Sequence, residues 1–385
     1  MKNIFCAFLL GIAATFPRSA IADTPLAPEA PVAASVPVNV IYDTDMMSDI
    51  DDALGLAMLH ALHERHEANI IAVTISTDDK WCASYVDLVN TFYGQPGIPV
   101  GIVHGGVNLR RSYPDDIPAA ANYTEVLSER RRADGSLVYP HRIIDGARAP
   151  EAVALLRKTL EAQPDHSVVM IQVGFCTNYA RLLDSKADAE SALDGRALVQ
   201  KKVRLLSVMA GNFAETHDAG KTYQKGQPEF NLMMDVPSAQ KLFSDWPTPI
   251  VASGFEVGHQ MLFPAFAVDH YFSYVQDHPI AETYRTYVEW GKVKWQLKWP
   301  HDHATYDLTA VLFAVRPDAG YFSLSKPGKI TVLPGGASRF DESESGSHRY
   351  LILPEDRKAR TLEALVMLAS QPPAECATSM GKECK

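Results

Sequence analysis

Val38-Asn39-Val40-Ile41-Tyr42-Asp43-Thr44-Asp45-Met46-Met47-Ser48-Asp49-Ile50-Asp51-Asp52 is the stretch that decides how this chain is read. It opens with a short apolar, β-branched run, and from Asp52 onward Leu54, Ala57, Met58 and Leu62 recur at helical spacing. The pattern is a strand, a loop and a helix. The loop carries Asp43, Asp45, Asp49, Asp51 and Asp52 within ten residues. Two carboxylates about 4 Å apart repel by roughly 4 kcal/mol at an effective dielectric near 20. Such a cluster needs protons, a cationic partner or a metal. Between Lys2 and Arg65 the only Lys or Arg is Arg18, so no basic partner of that kind is local. An all-oxygen, carboxylate-rich set suits a hard cation such as calcium or magnesium. Acidic loops can also be solvated turns or helix caps. The position after a strand favours a site, because ligands of open α/β sheets bind beyond the carboxyl ends of strands.

Working outward, the alternation continues. Strands are expected at Val38–Tyr42, Ile70–Ser76, Ile98–Val103, Ser167–Val173, Val203–Met209 and Ile250–Ala252. Helices are expected at Asp52–Glu64, Ser84–Tyr93, Pro150–Gln163, after Thr177 and at Ala239–Phe243. Gly105 to Arg148 reads as a loop with one or two helices. The class is α/β, with a mostly parallel open sheet and helices on both faces, Rossmann-like. Near the C-terminus, Lys329–Leu333 and His348–Leu353 read as an antiparallel hairpin around a Gly/Ser/Glu-rich turn, followed by a helix over Glu355–Ser370.

The 385 residues include no internal repeat and no linker between Val38 and Gln371, so a single domain is expected there. Before it, Lys2, the apolar run Ile4 to Ala14 and Ser19-Ala20-Ile21-Ala22 have the form of a signal peptide, residues 1–22, cut after Ala22. A Pro/Ala-rich lead-in, residues 23–37, follows, and a polar tail, 372–385, closes the chain. The apolar run is too short to anchor in a membrane. The expectation is an exported protein, periplasmic or secreted, with no membrane partner after cleavage. A net charge of −10 argues against nucleic acid as a partner. Cys82 and Cys176 lie among apolar residues, whereas Cys376 and Cys384 could close a small disulfide loop in an oxidising compartment.

Three further segments end strands or open helices with groups fit for one site: Val173-Gly174-Phe175-Cys176-Thr177-Asn178; Met209-Ala210-Gly211-Asn212 with Pro228-Glu229-Phe230-Asn231 and Asp235; and Thr305-Tyr306-Asp307. Together with the aspartate loop they resemble the inosine-uridine preferring nucleoside hydrolases, over roughly Val38 to Gln371. The resemblance implies one Ca2+ at the carboxyl end of the sheet and hydrolysis of the N-glycosidic bond of a small-molecule nucleoside or related N-riboside. It implies Asp45, Asp52, the Thr177 carbonyl and Asp307 as metal ligands, with Asp45 also activating the metal-bound water and Asp43 orienting the ligands. Asp51 and Asn231 would hold the ribose 2′- and 3′-hydroxyls, and Asn212 and Glu229 the 5′-hydroxyl. A homo-oligomer, dimer or tetramer, is implied as well.

This chain departs from the family pattern in three places. The acidic loop is two residues longer, Met46-Met47 replace Pro-Gly, and Asp49 has no counterpart. Tyr306 precedes Asp307 where purine-preferring members carry a histidine, leaving Tyr306 or the nearby His301 and His303 to serve the leaving group. Thr77-Asp78-Asp79 replace the usual Gly-Asn, so Asp79 is a candidate for ribose recognition. Tyr284, Tyr287, Trp290 and Trp295 could stack on a base or fill the core. The alternative function is a calcium-dependent ribose- or polyol-binding protein on the same scaffold. A haloacid-dehalogenase-type phosphatase would match Asp43-Thr44-Asp45 but gives Glu229-Phe230-Asn231 no role.

Overall fold

Parallel strands covered on both faces are apolar almost throughout, and Val40, Ile41 and Tyr42 are fully buried. The computed structural model describes residues 36–112, 122–218 and 221–374. The expected signal segment, most of the lead-in, Cys376 and Cys384 lie outside them. The strands are β1 (Val38–Thr44), β2 (Ala68–Thr77), β3 (Val100–Val107), β4 (Val168–Gln172), β5 (Val203–Met209), β6 (Thr216–Asp218), β7 (Lys221–Tyr223), β8 (Ile250–Ser253), β9 (Leu262–Phe263), β10 (His303–Ala304), β11 (Ser323–Leu324), β12 (Gly328–Val332), β13 (Ser338–Glu342) and β14 (His348–Ile352).

The main sheet has the order β13-β12-β14-β8-β5-β4-β1-β2-β3, with β11 on β14. From β14 to β3 every pairing is parallel. β1 therefore lies inside the sheet, and Asp43 is in register with Thr74 on one side and Gln172 on the other. On one face pack the helices Asp51–Glu64, Lys80–Phe92, Tyr306–Val315 and Lys358–Ala369. Ala152–Glu161, Thr177–Asp184, Gly195–Lys202 and Val236–Asp245 cover the other. The first helix is buried from Asp51 to Leu62. Its acidic start is thus enclosed, not solvated. None of the described helices is long and apolar enough to cross a membrane.

The C-terminal hairpin differs from the expectation. The antiparallel partner of β12 is β13, inside the expected turn, while β14 meets β12 only at Gly328 and His348 and runs parallel to β8. Ser338-Arg339-Phe340-Asp341-Glu342 is an edge strand, and charged, mostly exposed residues are how edges resist further pairing. Such a strand has no apolar alternation to betray it. The helices Gly195–Lys202 and Pro279–Lys294 were also not expected as elements. Tyr284 and Tyr287 of the latter are buried in the core.

Candidate active site

β1, β2, β4 and β5 end at a common edge, and the segments singled out in the sequence meet there. Gly174 shows why small size is needed. A Cβ at this position would lie 2.3 Å from the Asp45 backbone nitrogen and 2.5 Å from Ser76 Oγ. Ser76 Oγ in turn donates to the Thr44 carbonyl (3.2 Å) and accepts the Phe175 N–H (3.0 Å), tying three strand ends together. Asp43 points into this junction, where Oδ2 accepts Thr74 Oγ1 (2.5 Å) and Asn178 Nδ2 (2.7 Å).

The acidic loop then folds back on itself. The Thr44 hydroxyl donates to Asp52 Oδ1, Ser48 Oγ donates to Asp52 Oδ2 at 3.3 Å, and Thr77 Oγ1 donates to the Asp45 carbonyl at 3.1 Å. Met47 takes a φ of 105°, a conformation that favours glycine. It is held there by Tyr123, whose hydroxyl accepts the Met47 N–H (2.7 Å), and by Asn122, whose Nδ2 donates to the Met47 carbonyl (3.2 Å). Asp51 Oδ2 accepts the backbone N–H of Tyr306 (2.7 Å) and Asp307 (3.0 Å), joining the loop to a helix start 255 residues away. One oxygen each of Asp51, Asp52 and Asp307 lies within 4.8 Å of the others. Asp45 Oδ2 is buried with no partner.

Burial pushes the carboxyl of Asp45 up to about 8, and repulsion from Asp51 adds to it. It likewise pushes Asp51, Asp52 and Asp307 well above the usual carboxylate range, each reinforced by its acidic neighbours. Asp43 rises to about 7 through burial alone, offset by its two hydrogen bonds. Carboxylates held this close are stable when ionised only with positive charge among them. The donor set is all oxygen, so the group could hold a hard metal ion.

The other expected residues divide. Asn212 is buried with both side-chain polar atoms unpartnered. Glu229 caps the helix Phe230–Met234, accepting from Asn231 N (2.8 Å), Leu232 N (3.3 Å) and Gly211 N (3.2 Å). Burial nevertheless lifts its carboxyl to about 7. Asn231 Nδ2 ties the ends of β4 and β5, donating to Val173 O (2.8 Å) and Met209 O (3.2 Å). Thr177 is buried and fixed by its hydroxyl to Asp235.

Two of the expected residues also have charged neighbours within the protein. Asp79 caps the helix Lys80–Phe92 through Trp81 N (3.1 Å) and pairs with Arg110 at 2.7 Å, so its carboxylate is engaged within the protein. His303 Nε2 lies 2.6 Å from Asp49 Oδ1, and its Nδ1 is 3.1 Å from His301 Nε2. His303 thus lies against Asp49 on one side and His301 on the other. Burial raises the Asp49 carboxyl, but the His303 charge and the hydrogen bonds from His303, the Ile50 N–H and Tyr287 together outweigh it, and the net shift is downward. Tyr306 does stand at the site, and its hydroxyl meets His259 Nδ1 at 3.1 Å. His259, with Phe255 and Tyr223 around it, was missed. A lone histidine 47 residues upstream of Tyr306 gives no signal in sequence.

A family model for inosine-uridine preferring nucleoside hydrolases matches residues 40–344. Among solved structures, a plant nucleoside hydrolase matches at 18% identity and TM-score 0.60, over 87% of this chain and 100% of its own. A purine-preferring ribonucleoside hydrolase from Gardnerella vaginalis matches at 16% identity and TM-score 0.60, over 87% of this chain and 100% of its own. The type III effector protein XopQ, in complex with adenosine diphosphate ribose, matches at 15% identity and TM-score 0.58, over 88% of this chain and 94% of its own. At these identities the likeness is one of fold. No curated protein sequence matches.

Proposed function

The chain belongs to the inosine-uridine preferring nucleoside hydrolase family and is a ribonucleoside hydrolase of the glycosylase class; we propose that it works with calcium and with Asp45 as its base. The observation that carries this reading is the buried set Asp51, Asp52 and Asp307, and we add Asp45 to the ligands for its buried, unpartnered oxygen, with Asp51 turned to the ribose. Asp45, Asp52, Asp307 and the Thr177 carbonyl would hold the ion. Once bound, calcium supplies the positive charge that lets these carboxylates ionise together and a Lewis-acid centre for the attacking water.

Asp45 accepts the proton of that water, a contribution of about 10²–10⁴ in rate. The free oxygens of Asp51 and Asn231 accept from the ribose 2′- and 3′-hydroxyls. Asn212, whose side-chain polar atoms have no partner in the protein, and Glu229 hold the 5′-hydroxyl. As the N-glycosidic bond breaks, positive charge grows on the anomeric carbon, and the surrounding carboxylates stabilise it. Tyr306 faces the leaving group.

The test is release of free ribose from purine and pyrimidine nucleosides, with calcium and with chelator. Chelator-sensitive release that falls at least a hundredfold in Asp45→Asn supports the reading. Full activity in that variant would remove Asp45 as the base. A second reading, a calcium-dependent ribose- or polyol-binding protein without turnover, draws on Tyr306 standing where a histidine is expected. Tight, calcium-dependent ribose binding with no release would favour it. We propose export as well; mature protein beginning at Asp23 would bear it out.

A further inference from the structure

We propose that His259 is a positioning residue that aims the Tyr306 hydroxyl at the departing base, so that a Tyr306–His259 pair serves the leaving group; this rests on the hydrolase reading above. The root of Tyr306 is fixed, since its backbone N–H is bound by Asp51 and its neighbour is Asp307. The helix Phe255–Gly258 is pressed against it. A Cβ on Gly258 would meet Tyr306 Cα at 2.3 Å, and Thr305 N donates to Gly258 O at 3.3 Å. His259 follows directly, and its Nδ1 lies 3.1 Å from the Tyr306 hydroxyl.

Aromatic packing sets the geometry of both rings. Phe255 stacks on His259 (4.8 Å, 22°) and on Tyr306 (5.3 Å, 23°), while Tyr223 meets His259 edge-on at 4.9 Å. All four rings are only half-buried, so the group keeps an open side. The backbone tie of Tyr306 to Asp51, a residue of the proposed ribose site, keeps the phenol at that site. When His259 Nδ1–H donates to the phenol oxygen, the phenol hydrogen is left to donate to the nitrogen that takes the electron pair of the breaking C–N bond. His301 and His303 lie against each other, and His303 against Asp49, whereas His259 is the histidine that meets the Tyr306 hydroxyl.

The experiment compares the best nucleoside of the panel with p-nitrophenyl riboside, whose leaving group needs no hydrogen-bond donor. In the calcium-loaded full chain, His259→Ala and Tyr306→Phe should each lower kcat on the nucleoside by about a hundredfold or more. On p-nitrophenyl riboside each should stay within about threefold of wild type, because only leaving-group assistance is lost. His259→Asn, whose amide can replace the Nδ1–H, should recover most of the loss. The double variant should be no slower than Tyr306→Phe alone, as expected of residues acting as one unit. Equal losses on both substrates, or additive losses in the double variant, would overturn the pairing. Wild-type protein inactive on both substrates would instead sink the hydrolase reading itself.

Discussion

Gly174→Ala tests whether the strand-end junction sets the position of Asp45. The added methyl would sit 2.3 Å from the Asp45 nitrogen, 2.5 Å from Ser76 Oγ and 2.7 Å from the Thr44 carbonyl carbon, and ordinary contact begins at 3.4 Å. The Asp45 backbone must retreat by about 1.1 Å, because two of the three obstacles are main chain in β1 or its end. Overpacking of this kind costs about 1–3 kcal/mol. A catalytic group misplaced by about 1 Å costs roughly a hundredfold in rate. The expected result is a folded protein, less stable by that amount in urea titration, with kcat on its best nucleoside down by about two orders of magnitude. KM should move less, since Glu229 is held by the N–H groups of Gly211, Asn231 and Leu232 and not by the junction itself. A variant that retains kcat within threefold, with stability reduced as expected, would show that the position of Asp45 does not limit the reaction.

Other consequences can be measured directly. Calcium at about a hundred times its Kd should raise stability by about 2.7 kcal/mol. In chelator, stability should fall as pH rises. Asp43 and Asp45 are lifted from an ordinary 3.8 to about 7 and about 8, so their contribution is complete below pH 4 and is lost as pH climbs through 7 to 8. A flat or rising profile in chelator between pH 5 and 8 would contradict the buried cluster. His303→Ala leaves Asp49 without its partner and should cost about 1–3 kcal/mol by denaturant titration, relieved in Asp49→Asn/His303→Ala. Asp79→Ala should cost about 0.5–2 kcal/mol as a lost helix cap, and its KM for nucleosides should shift less than that of Asp51→Ala. A larger KM effect at Asp79 would return that residue to substrate binding.

Much of this was legible because parallel strands and their helices announce themselves through period and position. Val203–Met209 is a strand over the very residues its apolar run spans, and the aspartate loop sits where strand-end logic places it. β13 was hidden because an edge strand needs no buried face. The helix expected from Ser84 begins at Lys80, where Asp79 caps it; in the sequence the same residue is a candidate for substrate only because it stands where the family carries Gly-Asn. His259 and Asp49 acquire meaning only from partners 47 and 254 residues away, which no local pattern encodes. The identities of the residues pointed to the acids and to Tyr306. Folding alone revealed His259, Phe255 and Tyr223 around it.

The bonds from Asp51 to the N–H groups of Tyr306 and Asp307 span 255 and 256 residues. The cluster therefore has no counterpart in a short stretch of nascent chain. It comes into being only when nearly the whole domain has closed, late on a folding path dominated by long-range contacts. An ion seated there would act as a latch, not a template. Interactions absent from the transition state leave the refolding rate alone and slow unfolding, so calcium would prolong the life of the finished molecule without hastening its birth.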